Sequence, residues 1–244
     1  MRKGGIVHTE PAMATLTKEQ LARLPEPVQR SLHRAGVVGN EIPTSVRIRQ
    51  KGRIRSKPGG PWMNFAAREE YSLADPGFEW KATMKVAGVP VGRATDSLRD
   101  GRGAMHVRVL GLFVVVDATG PEMDQGSLMR WLNETMWFPA VWATDVVSWE
   151  PLDRQSAIGS VTAGGREVKA EFRFDQDGRL VDFVADRFQD TGDGFQMAAW
   201  STPLTAYHRF GGYELPSAGS AVWHLEDGPF EYIQLRLTDA AYSY

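Results

Sequence analysis

Glu134 is the carboxylate of this sequence whose neighbours could most change its chemistry. It lies in the segment 120–139, GPEMDQGSLMRWLNETMWFP. Helical spacing there sets Arg130 at i−4, Phe138 at i+4, and Trp131 and Trp137 at i−3 and i+3. An apolar surround penalises the charged form of a carboxyl, raises its pKa and suits it to general acid or base work. The competing reading is a solvated Arg130–Glu134 pair, worth a few tenths of a kcal/mol on an exposed helix. Tyr207 and His208, in LTAYHRFGGY, are the other catalytic candidates, as a hydrogen-bond donor and a proton carrier. His208 also fits as an ordinary strand-surface residue.

Other chemistries lack residues to carry them. The chain has no cysteine, which excludes disulfides, thiolate nucleophiles and thiolate metal sites. His8, His33, His106, His208 and His224 are scattered without ligand spacing, so no metal is expected. No GxSxG elbow, P-loop or strand-linked GxGxxG occurs, and no cofactor is expected. With 28 basic and 30 acidic residues, the net charge of −2 gives no global field for nucleic acid. Arg47, Arg49, Lys51, Arg53 and Arg55 share one strand face and could bind an anion. Cross-strand pairing with acids such as Glu70 and Glu79 accounts for them without a ligand. Glu122 and Asp124 read as helix-entry residues, with Asp124 as N-cap.

The elements that must position these residues are mostly strands. Residues 1–16 show no periodicity and read as a flexible leader, and 17–244 as one ligand-binding domain. No apolar run suggests a signal peptide or membrane span, so a cytoplasmic address is expected. Thr17 and Gln20 have capping-box spacing, and 27–35 reads as a second short helix ending at Gly36. From Thr44 the period becomes two. Val46, Ile48 and Ile54 share a face, as do Phe65, Ala67, Tyr71 and Leu73, then Phe78, Trp80, Ala82, Met84 and Val86. Short turns such as AGVPVG, DGRG, TAGG and DQDG suit hairpins. The expected fold is mainly β: a curled antiparallel meander of about ten strands, closing to a barrel or half-barrel. The 124–138 helix is apolar almost all round and belongs across the mouth or inner face of that sheet.

Trp131, Trp137, Phe138, Trp200, Trp80 and Tyr71 are the expected walls of an apolar cavity. Plain core packing is the alternative for each. The motifs LPEPVQRSL (24–32), GPWMNFAAREEY (60–71), GPEMDQG with WFP (120–139) and FGGYELPSAG (210–219) resemble an uncharacterised bacterial family of unknown function. That family is distantly similar to lipoprotein-localisation half-barrels, in which a curved sheet and helical lid hold an acyl chain. The resemblance implies a half-barrel. Many such relatives carry a membrane segment before the LPEP motif, and residues 1–23 show none.

The expected function is binding of an apolar small molecule, with a cofactor-independent cyclase, isomerase or dehydratase of specialised metabolism placed first. A non-catalytic carrier of a lipid or polyketide-like ligand is the alternative, and an interaction module the third. Homodimer formation is left open.

Overall fold

The alternation of residues 46–86 builds three strands, β1 (Ser45–Ile54), β2 (Met63–Ser72) and β3 (Gly77–Val86). In β1, Val46 and Ile48 are buried while Arg47, Arg49 and Lys51 are exposed. The computed structural model describes residues 15–111 and 113–244. The expected leader lies outside them up to residue 14. Thr15 and Leu16 are tied in, Thr15 by a bridge to Glu41 and Leu16 by burial. The capping box at Thr17 and Gln20 opens α1 (Lys18–Ala22). Next, α2 (Glu26–Ala35) ends on Gly36 at φ 80°.

The meander continues through β4 (Val89–Arg99), β5 (Arg102–Val109) and β6 (Phe113–Thr119). After α3 (Pro121–Glu134) come β7 (Ser148–Pro151), β8 (Ser156–Ala163), β9 (Arg166–Phe174), β10 (Leu180–Asp190), β11 (Phe195–Ser201), β12 (Leu204–Phe210), β13 (Tyr213–Leu225) and β14 (Gly228–Ser243). All pairings are antiparallel, in one sheet of 14 strands where about ten were expected. The four that sequence reading passed over are β4, β7, β8 and β11. Gly92 and Asp96 interrupt the apolar parity of β4, and β8 is the small-residue run SAIGSVTA, so period two is faint in both.

Strand order is β6-β5-β4-β3-β2-β1-β14-β13-β11-β10-β9-β8-β7, with β12 beside the first part of β13. The two arms join where β1 pairs with β14, from Ser45↔Ser243 to Ile54↔Ile233. Because β6 and β7 end the order unpaired with each other, the sheet is a half-barrel. The arms nevertheless touch at two hairpin tips. A Cβ on Gly101, in the β4–β5 turn, would stand 2.4 Å from Gly164 Cα in the β8–β9 turn. Gly101 also has φ 72°, so glycine answers both the turn and the contact.

Helix α3 crosses the concave side, against β4 and β5 of one arm and β8, β9 and β10 of the other. That two-sided burial explains its apolar surround: Leu128, Trp131 and Leu132 are each 0% exposed. The sequence reading of its start is corrected. The helix begins at Pro121 behind Gly120, and Asp124 caps nothing: its Oδ1 accepts the Gly103 N–H at 2.8 Å. Proline's preset φ suits the first turn, which moves the start ahead of the acid. A Cβ on Gly103 would meet the Met123 carbonyl at 2.4 Å, so this seat is also close-packed. Two short 3-10 helices, Thr135–Trp137 and Pro139–Ala143, lead the chain away.

The exposed side of β1 behaves as cross-strand pairing predicts, with Arg47 to Glu70 at 3.4 Å and Arg49 to Asp239 at 3.8 Å. Glu79 instead serves Arg99 at 2.6 Å, together with Lys81.

Candidate functional site

Between α3 and the sheet lies a cavity of about 620 Å³. From α3 and its extension it receives Met123, Arg130, Asn133, Glu134 and Trp137, which share one helical face, Arg130 standing seven positions after Met123 and Glu134 and Trp137 following at four and three. Met84, Val107, Trp223, Ile233 and Leu235 supply apolar lining from strands of both arms. Val115 and Phe195, both exposed and both lining, mark its mouth. The size falls within the roughly 300–1,000 Å³ typical of small-molecule sites.

On one wall the apolar lining gives way to a buried ionic cluster. Arg130 donates from Nε to Glu134 Oε1 at 2.9 Å, from Nη1 to Asp96 Oδ2 at 2.7 Å and from Nη2 to Glu69 Oε1 at 2.8 Å. Its guanidinium stacks over Phe78 and Trp80 at 4.8 and 5.1 Å. Behind it, Tyr71 Oη donates to Glu134 Oε2 at 3.2 Å. Gln50 donates to Glu69 at 3.2 Å and accepts the Trp80 indole N–H at 3.0 Å. Of these groups, Gln50, Trp80, Asp96, Arg130 and Glu134 reach the cavity. Asp96 Oδ1 has no hydrogen-bond partner among the described residues.

Burial pushes the Glu69 carboxyl well above the usual range, and Arg130 only partly reverses this. Glu134 is raised for the same reason, with Arg130 pulling it back. For Arg130, burial works against the charge, but Glu134, Glu69 and Asp96 outweigh it and hold the guanidinium protonated. Tyr71 is raised well above an ordinary phenol by burial, then by the two glutamates, and stays a neutral donor. The cluster can therefore keep a proton on a glutamate beside an apolar cavity.

Of the residues singled out from sequence, Glu134, Trp80, Trp137 and Trp200 line this cavity. Tyr71, Trp131 and Phe138 form a buried layer behind the cluster, with Tyr71 and Phe138 ring centroids 4.8 Å apart and Trp131 and Phe138 5.8 Å apart. Their rings pack core and support Glu134 through the Tyr71 hydroxyl. Tyr207 and His208 are not brought to Glu134. Tyr207 donates to the Leu180 carbonyl and borders a separate small cleft with Arg179 and Glu214, and His208 is exposed against Phe210. Alternation sets these two neighbours on opposite faces of β12, Tyr207 toward the small cleft and His208 toward solvent, and neither lines the cavity. Nor is the Arg130–Glu134 pair the solvated one weighed above, since their side chains are only 15% and 8% exposed.

Sequence reading missed Gln50, Glu69 and Asp96, although a signal was present. Each is a polar residue on the core-facing parity of its strand: Val46, Ile48, Gln50; Phe65, Ala67, Glu69, Tyr71; Ala94, Asp96, Leu98. A buried charge needs a partner, so Glu69 on β2 and Asp96 on β4 call for a shared cation, and Gln50 adds a hydrogen bond to Glu69. Arg130 answers it.

The fold compares with solved structures at low sequence identity. A DUF1329 family protein from Desulfovibrio piger ATCC 29098 is 12% identical, with 90% of this chain and 93% of that chain covered and a TM-score of 0.50. For a LolA superfamily protein from Nitrosomonas europaea the identity is 9%, the coverages 89% and 92%, and the TM-score 0.46. No curated protein matches the chain. Across residues 14–235, the chain belongs to DUF6544, a family of unknown function.

Proposed function

We propose that this protein binds an elongated apolar small molecule between α3 and the sheet, as a carrier. The observation that carries this reading is the cavity of about 620 Å³, apolar over most of its lining and open beside Val115 and Phe195. Such a shape removes a ligand's apolar surface from water, worth about 25 cal/mol per Å². The carrier reading is favoured over catalysis because Tyr207 and His208 stand outside the cavity and Glu134 is already engaged by Arg130 and Tyr71. A lipid or polyketide-like ligand fits the proposal. None of the described helices is long and apolar enough to cross a membrane. A cytoplasmic setting stays within the proposal, as the cysteine-free composition permits.

The test is titration with N-phenyl-1-naphthylamine, an uncharged fluorophore. The expected outcome is saturable emission enhancement at one equivalent, reversed by long-chain alcohols. A linear, unsaturable response would overturn the reading. One observation favours a second reading, acid–base catalysis: Glu134 lines the cavity with its carboxyl raised by burial. With an identified substrate, full turnover by Glu134→Gln would exclude it.

A further inference from the structure

Three arginines line the cavity, Arg55, Arg130 and Arg187. Arg130 is committed to three carboxylates. Arg55 donates to the Glu231 carbonyl at 2.8 Å and stacks on Trp62 and Phe230 at 4.6 and 5.4 Å. Arg187 is different. Its guanidinium lies over Trp200 at 4.8 Å, and its Nε is buried with no acceptor among the described residues. The backbone around it is clamped from α3, where Gln125 donates to the Asp186 carbonyl at 3.2 Å and accepts the Phe188 N–H at 3.5 Å. Gly126 of α3 packs beside the side chain, where a Cβ would make ordinary contact at 3.5 Å from Arg187 Nε. The fold thus holds a cation against a cavity wall without giving it an anion among the described residues.

We propose that Arg187 is a head-group anchor: the cavity takes an amphiphile whose tail lies along the apolar wall and whose anionic head, a carboxylate or phosphate, pairs with this guanidinium. The inference rests on the apolar-cavity reading above and adds the chemistry of the ligand's polar end. A guanidinium fixed on an aromatic face is pre-organised for two parallel hydrogen bonds to such oxygens. The tail supplies affinity through buried area, and the head sets orientation and selects among amphiphiles of equal length. An ammonium head would be repelled by Arg187, while a neutral hydroxyl would leave the fork half used.

The experiment displaces N-phenyl-1-naphthylamine with four twelve-carbon probes below their micelle concentrations: dodecanoate, dodecyl phosphate, dodecanol and dodecylammonium. Both anions are expected to bind at least about tenfold more tightly than dodecanol, the scale of a charge-assisted hydrogen bond. The tighter of the two anions names the head group. In Arg187→Gln the anions fall to the level of dodecanol while dodecanol itself is unchanged, which also shows the variant is folded. Arg187→Lys, keeping charge but not the fork, lies between. Dodecanol or dodecylammonium binding as tightly as the anions, or an unchanged anion affinity in Arg187→Gln, overturns the anchor and leaves the cavity intact. Failure of all four probes would instead fall on the cavity reading itself.

Discussion

Replacing Arg130 with methionine tests the logic of the buried cluster most directly. The substitution keeps a long apolar stem against Phe78 and Trp80 but removes the cation shared by Glu69, Asp96 and Glu134, whose side chains are 0%, 3% and 8% exposed. Three carboxyls are then left in a low-dielectric wall with no positive charge. Removing one partner of a buried ion pair typically costs about 3–5 kcal/mol, and the loss here belongs in that range at pH 7. Its pH dependence has a definite sign. Stability changes with pH as the protons bound by the unfolded chain minus those bound by the folded one. Above the unfolded glutamate value of 4.5, unfolded Glu69 and Glu134 have lost their protons while the folded groups, raised by burial, retain them. Native stability from this source is therefore full below 4.5 and declines as pH climbs through the raised folded values. Arg130 pulls both glutamates down, so its removal raises them further and extends the decline upward. The deficit of Arg130→Met should be larger at pH 7 than at pH 5. Urea denaturation at the two pH values measures it. A variant within about 0.5 kcal/mol of the parent at pH 7, or an equal deficit at both values, refutes the reasoning, being far below the expected cost. Adding Glu69→Gln, Asp96→Asn and Glu134→Gln to Arg130→Met should recover much of the loss, because it removes the stranded charges together.

Three further outcomes are expected. Gly101→Ala sets a Cβ 2.4 Å from Gly164 Cα at a φ of 72°, and should lower stability by about 2–4 kcal/mol in urea melts. Thr135→Val removes the acceptor of the Trp142 indole N–H, a 2.7 Å bond at a residue 0% exposed, and should cost about 1–3 kcal/mol. Ala94→Trp, on the cavity wall, should weaken fluorophore binding about tenfold or more, roughly the 1.4 kcal/mol that corresponds to that factor. Its urea midpoint should barely move, since the ring enters empty space rather than packed core. Unchanged binding in that variant would place the fluorophore elsewhere.

Much of the architecture was legible because burial on one face writes itself into a sequence as alternation. Val46 and Ile48 against Arg47 and Arg49 already declared β1, and the all-round apolar 124–138 segment declared a helix enclosed by sheet. Strands without contrast were not legible. In β8 small residues face both sides, and in β11 the run FQMAAWS has no clear period, so neither could be told from loop. The candidate site was half legible. Glu134 and its aromatic neighbours stood out through helical spacing, which is local.

Residue types and spacing by themselves determined the β meander, the enclosed helix and the interest of Glu134 beside Arg130. Tertiary structure alone decided that Arg130 gathers Glu69 from β2 and Asp96 from β4 as well, and that Tyr207 and His208 stay outside. The physical reason is that ion pairs act at about 3 Å in space, whereas these acids lie 61 and 34 positions from Arg130 along the chain. Only the β2–β3–β4 register and the seating of α3 on Gly103 carry them to one point. The same is true of Arg187, an unremarkable strand residue until the helix, Trp200 and the cavity are assembled around it.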